Sequence, residues 1–403
     1  MIPLIPFHHS RPADDAIFAL NAEATARRKR GESIVNATVG ALLEDDGQLA
    51  VLPSAAQAVR EVPPEEWAAY APIAGNPAFL AAVQDDLLGT VPALRACSIA
   101  VATPGGSGAL RHALTSYLEP EQSMLTASYY WGPYQTLSEV SDRHLTTFNF
   151  FARPDGQAFD VEAFDRALSA LVDKQGRALI FLNDPCNNPT GYSMSDAEFD
   201  AVVQSVGRHA ESAPVTLLLD LAYADYAASD PRARLAALTP LLGKAGLCFA
   251  WSASKSFTHY GLRVGALVAC IPDEKERRMT EAAFSYESRG TWSNCVRGGM
   301  TAITRLLTAP HLSTAVVEER ARLKALLSAR VGTFNRHAHA AGLVYPRYEG
   351  GFFVTVFRDG AKEHALRMKE QGVFVVPSQG ALRVALCSVA ERDIERLVGS
   401  LFG

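Results

Sequence analysis

The sequence predicts an α/β protein: a mostly parallel sheet with helices on both faces, followed by a smaller α+β unit. Three observations predict it. Short apolar runs alternate with helical patterns from about Ala96 onward. The segments between the runs are long enough to cross over to a parallel neighbour. Toward the C-terminus the pattern changes, and one long helical stretch precedes two strand-like runs. At 403 residues the chain can bury a large core and divide into one major and one smaller domain.

In chain order, the N-terminal arm to about Pro12 is expected to be extended, because its three prolines fix φ and remove donors. A polar-faced helix follows over 14–30, and the basic run at 27–30 suits the negative end of its dipole. The strand-like runs are SIAVAT (98–103), SMLTAS (123–128), ALIFLND (178–184), VTLLLD (215–220), LCFAWSAS (247–254) and ALVACI (266–271). Helices are expected from Gly108 and from Ser195 between them, and a long one over 318–340. GGFFVTVF (350–357) and ALRVALCSV (381–389) supply strands for the smaller unit. Repeats and low-complexity tracts are absent from the sequence, so a domain boundary has to run through ordinary helices and loops.

A net charge of -5, with Lys and Arg scattered, offers no footprint for a nucleic-acid backbone or an anionic membrane. No window approaches the roughly 18 apolar residues of a membrane helix, and the first residues lack the basic region of an export signal. The six cysteines form no Cys-x-x-Cys pair, which argues against zinc and against a disulfide framework and points to a reduced, cytoplasmic protein. His337 and His339 face different directions on a helix, so no metal site is expected of them. Small-molecule chemistry is the reading that remains.

Asn188, Asp220 and Lys255 fall where apolar runs stop. Ligand crevices of open parallel sheets lie outside the carboxyl ends of the strands, so these groups can converge on one pocket. In SASKSFTHYGLRVG (252–265) the lysine sits among small hydroxyl residues between two apolar runs. Partial burial would lower its pKa and favour the neutral amine that imine formation needs, with Ser252 and Arg263 placed to hold a phosphate. Taken alone, it could equally be a structural lysine in a polar loop. TPGGSGAL (103–110) follows a strand and opens a helix, so backbone N–H groups and the dipole would meet an anion there. Its glycines mimic part of a dinucleotide fingerprint, but Arg111 stands where the third glycine belongs. Asp220 alone reads as a cap or strand-end carboxylate, and Asn-Pro-Thr-Gly alone as a turn.

Taken together, VNATVGA (35–41), YAPIAG (70–75), TPGGSGAL, NNPTG (187–191), DLAY (220–223), the lysine segment, SRGTWSN (288–294) and ALRV (381–384) resemble, in order, the motifs of fold-type I pyridoxal-phosphate enzymes. The resemblance spans nearly the whole chain and is to the aspartate and aromatic (class I) aminotransferases. It implies an aspartate aminotransferase-like fold with a seven-stranded sheet. The large cofactor-binding domain would cover 49–312, and the small domain 1–48 and 313–403.

The resemblance also assigns roles. Lys255 would carry pyridoxal 5'-phosphate as an imine, and Asp220 would keep the pyridine nitrogen protonated so that the ring accepts electrons. Asn188 and Tyr223 would bond the ring hydroxyl oxygen, while Gly105, Gly106, Ser107, Ser252 and Arg263 would hold the phosphate. Trp131, in YYWGPY, would stack on the ring; Tyr134 stands where a histidine is common in the family, and Tyr129 and Tyr130 crowd the motif, so the stacking residue stays open. Arg383 would anchor the substrate α-carboxylate with help from the backbone at Gly40. Arg289, reaching in from a neighbouring subunit, would bind a distal carboxylate, and Tyr70 would be lent across the same homodimer to the phosphate. The implied reaction moves an amino group between an amino acid, aspartate or aromatic, and a 2-oxo acid such as 2-oxoglutarate. Two alternatives share these motifs: a lyase performing β-elimination or decarboxylation, and a cofactor-binding regulator, for which the N-terminus leaves no room for a helix-turn-helix domain before the family-like segment.

Overall fold

The structure is a computed structural model and describes residues 3–9, 11, 16–378 and 380–403. Four strands precede or open its main sheet: β1 (Val35–Asn36), β2 (Ser98–Pro104), β3 (Ser123–Ala127) and β4 (His144–Phe148). β5 (Ala178–Asn183), β6 (Val215–Asp220), β7 (Gly246–Ser252) and β8 (Val264–Cys270) complete it. The seven-stranded order is β2-β8-β7-β6-β5-β3-β4, and β8 alone runs opposite to the other six. The mostly parallel sheet expected from the sequence is therefore present.

Side-chain alternation explains why both faces are covered. Leu179 and Phe181 of β5 and Leu218 of β6 enter one apolar cluster, while Ile180, Leu182, Leu217 and Leu219 enter the other. A strand buried on both faces needs apolar residues at every position, which is what the continuous runs in the sequence encode.

The C-terminal part holds β9 (Phe353–Phe357), β10 (Val373–Phe374), β11 (Val376–Ser378) and β12 (Ala381–Ala385). β9, β12 and β11 form an antiparallel sheet, and β10 pairs with β1, bringing the N-terminal segment against the C-terminal one. The helix Pro310–Ala340 packs on the turn Leu386–Ser388 that follows β12. From it the fully buried Arg330 donates to the carbonyls of Leu43 and Cys387 and to Asp45. That fork clips the N-terminal loop to the turn that follows β12.

Several sequence expectations need correction. The helix expected from Gly108 begins at Gly105, since Gly105 and Gly106 form its first turn instead of a loop. LCFAWSAS stops being strand at Ser252, and ALRVALCSV stops at Ala385 before a 3-10 turn over Leu386–Ser388. The arm is not uniformly extended: Pro6 opens a 3-10 turn, Pro6–His8, held by the His8 N–H to the Ile5 carbonyl. Pro12 lies outside the described residues, as does the start of the helix expected over 14–30, which is described as Ala16–Lys29. Strand β4 was not anticipated. The helix expected from Ser195 is Asp196–Ala210, with Ser195 as its cap and a reciprocal bond from Glu198.

All six cysteines are buried free thiols. Among the described residues no cluster of metal-ligating side chains occurs, and no helix is long and apolar enough to cross a membrane.

Candidate active site

β7 ends at Ser252 and the chain turns at once into the short helix Ala253–Ser256, capped by the Ser252 hydroxyl, which accepts from the Ser254 N–H. Lys255 lies on this turn, half-buried. Its Nζ donates to the Gly40 carbonyl at 2.7 Å, and the rings of Tyr260, Phe352 and Tyr223 stand 4.5, 5.6 and 5.8 Å away. Loss of water lowers this amine to about 8; the Cys387 thiol opposes the shift, while Arg263 and Arg383 add to it.

Asp220 is the last residue of β6 and is buried. Its Oδ2 accepts from the Tyr134 hydroxyl at 2.7 Å and its Oδ1 from the Ala222 N–H at 3.2 Å. Burial raises the carboxyl above its ordinary value, and these two donors pull the other way. Asn183 pairs with Asp220 in the sheet register, donates to the Asp220 carbonyl at 2.9 Å and accepts the Asn188 N–H at 2.7 Å. Asn188 is thereby fixed with its Nδ2 donating to the Tyr223 hydroxyl at 3.3 Å. Burial holds the Tyr223 phenol above its ordinary pKa, so it stays protonated.

At the other end, the helix Gly105–Tyr117 starts where β2 stops and presents Gly106 and Ser107 beside Ser252, Ser254 and Arg263. The Arg263 Nη1 donates to Ser254 Oγ at 3.2 Å and to the Tyr260 carbonyl at 2.9 Å. Gly105 adopts φ +69°, which favours glycine, and a Cβ there would lie 2.6 Å from Arg263 Nη2 and displace that guanidinium.

These groups line one open cavity of about 200 Å³. Of the residues predicted for the site, Gly106, Ser107, Trp131, Asn188, Asp220, Tyr223, Ser252, Lys255 and Arg263 line it. Of the four aromatic residues of YYWGPY, Trp131 is the one on its wall; Tyr129 packs on Phe151 and Phe357, and Tyr134 lies buried behind. Gly40 reaches the site through Lys255. Arg383, in the middle of β12, places its guanidinium 4.8 Å over the Phe353 ring and donates to the Thr38 carbonyl. That ring also lies where a Cβ on Gly40 would have to go.

Gly105, Arg383, Tyr70 and Arg289 are not on the wall of this chain's cavity. Tyr70 is 87% exposed, and the exposed Arg289 donates to Ser293 Oγ at 2.7 Å. Conversely, Asn183, Ser254 and Tyr260 line the cavity without having been singled out. Asn183 could have been found as the residue beside Asp184 at the end of an apolar run, and Ser254 by its place next to Lys255. Nothing local marked Tyr134 as a partner of Asp220, 86 residues away.

Residues 32–401 match the family described as Aminotransferase class I and II, and the chain belongs to it. A solved aminotransferase from Anaerococcus prevotii superposes with a TM-score of 0.93 at 31% identity, covering 100% of this chain and 99% of that one. An aromatic-amino-acid aminotransferase of Paracoccus denitrificans is 28% identical over 306 residues, 74% of each chain. An aspartate aminotransferase of Pseudomonas aeruginosa is 27% identical over 402 residues, 96% of each.

Aminotransferases of this class use pyridoxal phosphate, and the cavity fits it. A helix N-terminus with a guanidinium and two serine hydroxyls suits a phosphate dianion. A buried carboxylate at the opposite wall is costly without a cation, and a protonated ring nitrogen is one. Between them stands an amine already shifted toward its neutral form.

Proposed function

We propose that the chain is a pyridoxal-phosphate-dependent aminotransferase exchanging an amino group between an amino acid, aspartate or aromatic, and a 2-oxo acid, with Lys255 as its reacting amine. The observation that carries this reading is the placement of Lys255, Asp220 and the Gly105–Ser107 turn around one cavity at the carboxyl ends of β6, β7 and β2. The relatives named above, one aromatic and one aspartate aminotransferase, support the substrate classes.

When bound, the cofactor supplies an electron sink for the charge that develops at the substrate α-carbon. Everything else falls to the chain. The Gly106 and Ser107 amides, Ser252, Ser254 and Arg263 hold the phosphate, so the ring is anchored whatever happens at its aldehyde carbon. Trp131 supplies a flat wall that restricts the ring to one plane. The Asp220 carboxylate would hold a proton on the ring nitrogen, and that cation would oppose the burial that raises the carboxyl's pKa. Asn188 and Tyr223 donate to the ring oxygen. Arg383 takes the substrate α-carboxylate through its planar fork, next to the Gly40 backbone. The Lys255 Nζ, which burial shifts toward its neutral form, would be the base that takes the proton from the substrate α-carbon.

The reading includes a homodimer. Exposed Tyr70, Trp67 and Val296 around Arg297 support an interface there, and Tyr70 and Arg289 would serve the neighbouring chain's cavity. It also includes a division into 49–312 and 1–48 with 313–403, supported by the pairing of β1 with β10, and a cytoplasmic location, supported by six reduced thiols.

Purified protein incubated with aspartate or an aromatic amino acid and 2-oxoglutarate tests the reading. Stoichiometric glutamate is expected. Pyruvate, ammonia and the free arene from tyrosine or tryptophan, or CO2 released from either substrate class, without glutamate would instead make the protein a lyase.

A further inference from the structure

We propose that Tyr134 is a positioning residue, holding the Asp220 carboxylate in the orientation that lets it face a protonated ring nitrogen in the cavity. The inference rests on the reading of Asp220 given above and adds a residue to it.

Asp220 ends a fully buried strand, and each of its oxygens receives one donor from the protein: Ala222 N–H on Oδ1, Tyr134 O–H on Oδ2. Two donors on two oxygens fix the plane of the carboxylate, and its remaining acceptor capacity is available to the cavity that it lines. Without the phenol only the Ala222 N–H would restrain it, and the group could turn about its Cβ–Cγ bond.

Tyr134 is suited to impose that orientation because its ring is packed on several sides. It is 0% exposed, on the helix Pro133–Val140, with Phe181 edge-on at 5.4 Å, Trp131 edge-on at 5.8 Å and Tyr130 parallel at 6.4 Å. Apolar residues surround the ring, so phenylalanine would fill the same space. A buried hydroxyl is unfavourable unless it is paired, and this one is directed at Asp220. Burial and the nearby Asp220 charge both push the phenol's ionisation well above its ordinary value, so it remains a donor at every working pH. Trp131, on the cavity wall, leans on the same ring, so a single residue braces both the acid and the aromatic wall.

The test uses the full-length protein, stripped and reloaded either with pyridoxal phosphate or with its 1-deaza analogue, in which carbon replaces the ring nitrogen. Dissociation constants are measured for wild type and Tyr134→Phe, with thermal melting of each apoprotein. Wild type is expected to prefer the natural cofactor by at least about tenfold, the scale of one charged hydrogen bond. Tyr134→Phe should lose most of that preference, binding pyridoxal phosphate about tenfold more weakly while its affinity for the analogue changes less than about twofold. Equal losses for both ligands, no loss for either, or an apoprotein that no longer melts cooperatively would assign the residue to packing and overturn the proposal. A wild type that does not distinguish the two ligands would instead refute the reading of Asp220, and the proposal with it.

Discussion

Lys255 and Asp220 are both withdrawn from water at the same edge of the sheet, and burial moves each toward neutrality, the amine down to about 8 and the carboxyl upward. The amine's shift has a signed consequence for the cofactor-free protein. The unfolded chain keeps this proton up to about 10.5, so between pH 8 and 10.5 it binds more protons than the folded one, and folded stability rises with pH across that window. Lys255→Met removes the penalty. The variant apoprotein should therefore melt higher than wild type at pH 7, and the difference should shrink from pH 8 and disappear above 10.5; a difference that does not vary with pH would show that the amine is not destabilised by burial. For Asp220→Asn, loss of the charge facing the ring nitrogen should lower kcat by at least about a hundredfold, taking a charged contact of about 3 kcal/mol. Steady-state kinetics at saturating substrate check it. Lys255, Asp220 and Asn188 were legible in the sequence because each follows an apolar run, and strand ends are where a parallel sheet delivers side chains. Tyr134 was not, because its partner is distant in the chain and a tyrosine among tyrosines carries no periodic signal.

At the scale of elements, the buried strands announced themselves through uninterrupted apolar runs, whereas β4 did not. It is an edge strand, HLTTF, with His144 and Thr147 exposed, and a half-wet edge lacks the two-face pattern. The helix Gly105–Tyr117 starts three residues earlier than expected for a related reason. Paired glycines read as a loop, and only the approach of Arg263 to Gly105 shows that the absent side chain serves the helix terminus. Gly105→Ala should therefore weaken pyridoxal phosphate binding, measured by equilibrium dialysis, and cost about 1–2 kcal/mol in urea unfolding from the left-handed backbone alone. A control belongs on the opposite type of element. Ser195 caps the helix Asp196–Ala210 away from the cavity lining, so Ser195→Ala should cost about 1 kcal/mol of stability and leave kcat unchanged.

For the whole molecule, Lys255 reaches from the central sheet to the Gly40 carbonyl of the N-terminal loop, Arg383 of β12 donates to Thr38 of the same loop, and Arg330 ties that loop to the turn after β12. The sequence could suggest this assembly only through resemblance, since no periodicity tells residue 40 to meet residue 255. Tyr70 and Arg289 extend the argument to two chains. Mixing Lys255→Ala with Arg289→Ala, each inactive toward a dicarboxylate alone, should restore about a quarter of wild-type activity, because half the dimers are mixed and each of those has one intact site. No recovery after subunit exchange would mean that Arg289 serves its own chain or none. The central claim, that one lysine carries the cofactor, has a more direct test: borohydride reduction of the holoenzyme followed by peptide mass mapping. The pyridoxyl group is predicted on the peptide containing Lys255 and on no other; a stable adduct at a different lysine, or none in protein that binds pyridoxal phosphate, would contradict it.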